Sequence, residues 1–138
     1  MTLDVTRGVV RLFNDLGLTA LLEFNLPNGR RADVAGLDRK GKFIFAEVKS
    51  CRADFQVDEK WEEYLPFCDA FYFAVAETFP RDLLPEEEGL IVADGFTGAV
   101  LRAGPERRLA PARRKALTLA FARQAAGRAL SKATVYGD

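Results

Sequence analysis

Apolar residues recur at helical spacing over the first sixteen positions. Leu3, Val9, Val10, Leu12, Phe13 and Leu16 form one stripe between a Thr2 N-cap and a closing Gly17, so the pattern predicts a helix. The period then changes to that of extended chain. Leu18 to Leu26, Arg31 to Asp38 and Lys42 to Ser50 read as three strands separated by Pro27-Asn28-Gly29 and Arg39-Lys40-Gly41, an antiparallel meander around short glycine turns. Residues 52 to about 64 read as a second helix that ends before Pro66. Ala70 to Val75 is a short apolar run, expected to be a strand buried on both faces. Residues 80–88 read as loop, and Leu90 to Ala93 and Ala99 to Arg102 as a further strand pair. Pro111, well placed in a first turn, opens a helix to about Leu130, and residues 131–138 read as a loose tail.

The two turns set registers. If residues 39–41 are the loop with Gly41 left-handed, Asp38 faces Lys42 and Asp33 faces Glu47, with Lys49 on the same face as Glu47. If residues 27–29 are the first loop, Glu23 faces Asp33 and three carboxylates form one row. A two-residue Asn28-Gly29 turn is equally good chemistry and would turn Glu23 to the other face. Opposed like charges destabilise a sheet, so such a row calls for positive charge. Lys49 supplies one, and a hard divalent cation such as Mg²⁺ is the natural completion. The structural alternative is an ion-pair cluster on a strand that Phe43, Ile44, Phe45, Ala46 and Val48 suggest is buried on both faces.

Composition narrows the chemistry. A chain of 138 residues, 49% hydrophobic with 11 Phe, is long and apolar enough for one self-sufficient domain. No run of 18 apolar residues and no basic-then-apolar N-terminus is present, so neither a membrane span nor a secretory signal is expected, and the cytoplasm is the expected compartment. The two cysteines are too isolated for a disulfide framework, and with no His there is no mixed zinc site, Ser-His-Asp triad or imidazole shuttle. Acid–base work falls to carboxylates, lysine or metal-bound water. The net charge of zero hides segregation: residues 1–53 hold 9 basic and 6 acidic side chains, residues 54–94 hold 2 and 12, and residues 95–138 hold 9 and 2. The basic last third, with Arg113 and Arg114 among its nine cations, reads either as a surface that tracks a phosphate backbone or as a solvated face pairing with the acidic middle.

The element order, with Asp33 on the second strand and Glu47-Val48-Lys49 on the third, resembles the PD-(D/E)XK nuclease superfamily over roughly residues 2–76. That resemblance implies an α/β fold with a restriction-endonuclease-like core of helix, three-stranded antiparallel meander, helix and strand, to which residues 77–130 add a strand pair and a helix. It implies that Asp33, Glu47 and the Val48 backbone carbonyl bind Mg²⁺ or Mn²⁺ and that Lys49 is the catalytic lysine. Ala32 stands where the motif name has Pro. The first helix offers Asp4 and Asp15, neither well placed, which makes Glu23 the more economical additional acid.

A closer resemblance runs through Gly29-Arg30-Arg31-Ala32-Asp33-Val34, Glu47-Val48-Lys49-Ser50, Asp54-Phe55, Lys60-Trp61-x-x-Tyr64, Cys68-Asp69, Phe71-Tyr72-Phe73-Ala74-Val75, Leu83-Leu84-Pro85, Gly89 to Asp94 and Leu109 to Lys115. Nearly the whole chain is similar to the bacterial MmcB-type DNA-repair proteins. This implies DNA as partner and repair as the setting, with repair-complex proteins or a homodimer as further partners. Lys60 and Tyr64, four apart, would share a helix face and contact a phosphate, the alternative being a solvated lysine beside a half-buried tyrosine. Arg31, diagonal to Glu47, would pair with the carboxylates or touch DNA. Trp61 reads as core, and Asp54 as a helix-start charge. Together these give a DNA-repair endonuclease hydrolysing phosphodiesters in damaged or structured DNA. The rival is a module that keeps the nuclease fold and binds DNA structures without cutting.

Overall fold

The computed structural model describes residues 2–50 and 60–133. Six strands form one mixed sheet in sequence order: β1 (Thr19–Asn25), β2 (Arg31–Leu37), β3 (Phe43–Lys49), β4 (Ala70–Val75), β5 (Gly89–Ala93) and β6 (Gly98–Arg102). The β1–β2–β3 meander is antiparallel, β4 and β5 run parallel to β3, and β6 returns antiparallel to β5. Helix α1 (Thr2–Asp15) covers one face and helix α2 (Pro111–Lys132) the other.

Both turns form as their local chemistry dictates. Leu26 N–H donates to Arg30 O at 2.8 Å around the 27–29 loop, with Gly29 at φ +85°. Asp38 N–H donates to Lys42 O at 3.1 Å around the 39–41 loop, with Gly41 at φ +87°. Thr19 therefore pairs with Leu37, Leu22 with Val34, and Val34 in turn with Ala46.

Two apolar layers result. Under α1, Val5, Val9 and Phe13 meet Val34, Ala46, Ala74 and Ile91. The expected stripe on α1 is corrected here: Leu3 and Leu16 are exposed, and Val5 takes the inward position. The cause is Gly8, where the helix backbone touches the β5–β6 turn. A Cβ at Gly8 would lie 2.2 Å from Asp94 O and 2.6 Å from Thr97 O. Those are backbone atoms that cannot step aside, so Gly8→Ala is expected to cost about 1–3 kcal/mol, read as a lower urea midpoint with an unchanged m-value. Gly17 closes α1 with φ +81°, as its position predicts.

Under α2 lies an aromatic layer in which Phe24, Phe43, Phe45 and Phe121 pack edge to face or stacked at 5.6–6.4 Å. Residues Trp61–Phe67 extend it as a 3₁₀ helix that runs through Pro66. This corrects the expected α-helix ending before Pro66; its remaining part, including Asp54, falls outside the described residues. With three residues per turn, Trp61, Tyr64 and Phe67 eclipse one another and all face the core. Trp61 stacks on Phe71, so its core role holds. The strand pair β5–β6 and α2 match expectation, α2 running on to Lys132. Among the described residues no helix is long and apolar enough to cross a membrane.

Candidate active site

The backbone pairing of β2 with β3 stops at Val34 and Ala46. Beyond it, side chains hold the strands together. Asp33 N–H donates to Glu47 Oε1 at 3.0 Å, and Val48 N–H donates to Asp33 Oδ2 at 2.8 Å. The two carboxyl groups also act directly on one another. Asp33 stands across from Glu47, and the strand period brings Lys49 onto the same side. Glu47 and Lys49 are 5% and 4% exposed, too little for water to screen them.

Burial, and then the neighbouring Asp33 charge, push the Glu47 carboxyl up to about 8. Burial also raises Asp33, against the opposing pull of the Val48 N–H, Glu47, Lys49 and Arg31. The Lys49 ammonium favours the ionised form of both acids. Two hard-oxygen donors thus stand against one another, with the Lys49 charge acting on both and the Arg31 charge on Asp33. Carboxylate oxygens suit a hard cation such as Mg²⁺ or Mn²⁺, and among the described residues no thiol joins them to attract zinc.

Glu23 does not join this site. The register that puts it across from Asp33 is the one found, with Leu22 opposite Val34 and Phe24 opposite Ala32. However, Glu23 adopts φ +51°, which reverses the alternation of the strand, so that Leu21 and Phe24, three apart, both pack into the layer beneath α2. The Glu23 carboxylate instead meets Arg31 Nη2 at 3.4 Å in solvent. Among the described residues no third carboxylate or thiol completes a cluster.

The other residues singled out in the sequence divide. Arg31 is exposed and its charge reaches Asp33. Tyr64 is buried, stacks on Phe71 at 5.7 Å and donates its O–H to Arg31 O at 3.1 Å, which makes it a support for the strand carrying Asp33. Lys60 precedes the 3₁₀ helix and is exposed, so it does not share a face with Tyr64. Arg113 lies 4.6 Å above the Phe67 ring and donates to Pro66 O. Arg114 is committed to Asp69, at 2.7 and 2.9 Å through both guanidinium nitrogens. Its second acceptor is Gly41 O at 2.5 Å. Part of the basic last third therefore pairs with the acidic middle, through Arg114 with Asp69 and Arg107 with Glu88.

Sequence reading missed this second network. Asp69 also accepts from Phe43 N–H at 2.8 Å and Leu109 N–H at 3.2 Å, so one carboxylate ties together the starts of β3, β4 and α2 and the connection before α2. A lone acid beginning a fully buried strand was the available signal.

The profile of the family described as DNA repair protein MmcB-like matches residues 1–135. A search of curated proteins gives no match. A solved structure titled SPO1766 protein of unknown function, from Silicibacter pomeroyi, is 43% identical. It superposes with a TM-score of 0.94 over 99% of this chain and 94% of that one.

Proposed function

The chain belongs to the MmcB-like family of DNA-repair proteins, and on that premise we propose that it is a divalent-metal-dependent endonuclease of the PD-(D/E)XK type, acting on damaged or structured DNA. The observation that carries this reading is the β2–β3 junction beyond Val34 and Ala46, where Asp33 and Glu47 each accept a hydrogen bond from the other strand's backbone beside the buried Lys49. Helix α1, the antiparallel meander and the parallel β4 support the reading, while the second helix that the resemblance implies falls on the 3₁₀ helix Trp61–Phe67 and on residues outside the described ones.

In this reading Asp33, Glu47 and the Val48 carbonyl hold the cation. A bound Mg²⁺ or Mn²⁺ would neutralise charge on the scissile phosphate and lower the pKa of a water molecule. Lys49 stands beside the carboxylates with its ammonium almost wholly out of solvent, where it can orient the attacking water and stabilise the negative charge that develops. Tyr64 and the Asp33–Val48 hydrogen bond keep β2 at the right separation from β3. Burial strengthens each of these interactions relative to water.

The test is incubation of the protein with single-stranded, duplex and branched DNA in Mg²⁺, Mn²⁺ or EDTA. Asp33→Ala and Lys49→Ala are each expected to lower metal-dependent cleavage by about 10³-fold while far-UV circular dichroism is unchanged. Full activity in either variant would overturn the assignment. That only two carboxylates meet here among the described residues favours a second reading, a DNA-structure-binding module without cleavage; it requires DNA binding that is indifferent to chelator and to Glu47→Gln.

A further inference from the structure

We infer that the groove between the C-terminal half of α2 and the outer edge of β1 is the seat of the sugar–phosphate backbone of a DNA strand leading to the Asp33–Glu47 site. The inference rests on the proposed nuclease reading for its destination, not for the binding itself.

The groove has a volume of about 510 Å³, and Arg123, Arg128 and Lys132 supply its charge. Helix α2 contains six basic residues and no acidic one. Unlike Arg107 and Arg114, which are matched by buried carboxylates, none of the three groove cations pairs with a carboxylate among the described residues. Three such charges converging on one concavity make a site for a polyanion.

The groove is built rather than incidental. Gln124 exchanges two hydrogen bonds of 2.9 Å with the Asn25 backbone, acting as a substitute strand on the open edge of β1. Arg128 donates to Leu22 O and, at 2.6 Å, to Glu23 O, which anchors the left-handed turn of the strand. These bonds fix the helix face against the edge and leave Arg123 and Lys132 exposed.

Gly127 forms part of the groove lining, and a Cβ placed there would meet nothing within 4 Å. A mid-helix glycine costs about 1 kcal/mol relative to alanine, yet no packing among the described residues requires it. It does leave room for another backbone to come close, as glycines at phosphate-binding surfaces do.

Position links the groove to the site. Arg128 holds Glu23, Glu23 pairs with Arg31, and Arg31 acts electrostatically on Asp33. With strands about 4.8 Å apart, the β1 edge lies roughly 10 Å from Glu47, on the side of the sheet that α2 covers. A strand lying in the groove thus needs little further length to present a phosphodiester to the carboxylates.

Binding is measured by fluorescence anisotropy in EDTA, with labelled single-stranded and duplex oligonucleotides over a series of salt concentrations. The double variant R123E/K132E is expected to weaken binding to whichever form the wild type prefers by about tenfold or more, and to flatten the salt dependence by about 1.5 in log–log slope. R108E/K115E, an identical charge change near the other end of α2, is expected to alter affinity by less than about threefold. Gly127→Leu keeps every charge and improves helix propensity, so it should unfold no earlier than wild type and still lose DNA affinity. Equal losses in the two charge-reversed variants, normal binding by Gly127→Leu, or no DNA binding by the wild type would each overturn the groove. Because no metal is present, absence of cleavage elsewhere leaves this result unaffected, and loss of the groove leaves the effect of Lys49→Ala on cleavage intact.

Discussion

Glu47→Gln is expected to make the metal-free protein more stable at alkaline pH while abolishing cleavage. In the wild type the Glu47 carboxyl titrates at about 8 instead of its ordinary 4.5, because burial and then Asp33 disfavour its charge. The folded state therefore holds a proton that the unfolded chain releases. Stability is fully present below the unfolded value and falls as pH rises through the window from about 4.5 to about 8, by roughly 3–5 kcal/mol in all. Glutamine preserves the shape, carries no charge to desolvate and can donate to the Asp33 carboxylate. Relative to wild type, the variant should gain most of that amount between the two ends of the window. Urea unfolding at pH 5, 6.5 and 8 reads it directly. Adding Mg²⁺ at pH 8 should raise the wild-type midpoint and leave the variant's unchanged, since a cation binds the native site only when both carboxylates can ionise. A parallel pH dependence in the two proteins would show that Glu47 is ionised or solvated in the native state.

The second large effect is expected at Asp69. Burial alone would raise its pKa, but hydrogen bonds from Arg114, Phe43 N–H and Leu109 N–H outweigh burial and hold it below 3.8. Asp69→Asn replaces one acceptor oxygen by a donor that must face a donor, and leaves the Arg114 charge without its partner. Breaking a buried pair on one side in this way is expected to cost about 3 kcal/mol, measured as a fall in urea midpoint at neutral pH. The sign with pH is opposite to that of Glu47. A depressed folded pKa contributes stability above about pH 4, which is lost as pH falls through the folded value. Wild type should therefore show an acid limb that Asp69→Asn lacks. The two opposed slopes place the metal-free stability maximum between about pH 4 and 5, and Mg²⁺ should move it toward neutral. Equal acid sensitivity in both proteins would mean that Asp69 gains nothing from its partners.

Glycine turns carry information that acts over a few residues. Gly29 and Gly41 each supply a left-handed position, the loops close around them, and every pairing in the meander follows. Because side chains alternate with a period of two, Asp33, Glu47 and Lys49 share a face once register is set. Their juxtaposition is thus legible from local chemistry. The exclusion of Glu23 is not, although its register is the same. Its left-handed conformation is unfavourable for a residue with a Cβ, and it is anchored by Arg128, 105 positions away.

Similar reasons explain the other differences. The 3₁₀ path of Trp61–Phe67 follows from where Phe71 and Phe73 lie, since ring contacts from Trp61 and Tyr64 and the burial of Phe67, each three apart, favour three residues per turn. Arg113 and Arg114 look like any exposed cations in a basic stretch, until Phe67 and Asp69 are brought beneath them from more than forty residues away.

The chain by itself determined its strands and two long helices, the order of its first three strands, the register of the second against the third and the meeting of two acids and a lysine, because turn chemistry and strand period act between neighbours. Only the tertiary structure decided which charges are spent inside the protein and which are left facing outward, since a charge is neutralised by whatever folding places beside it.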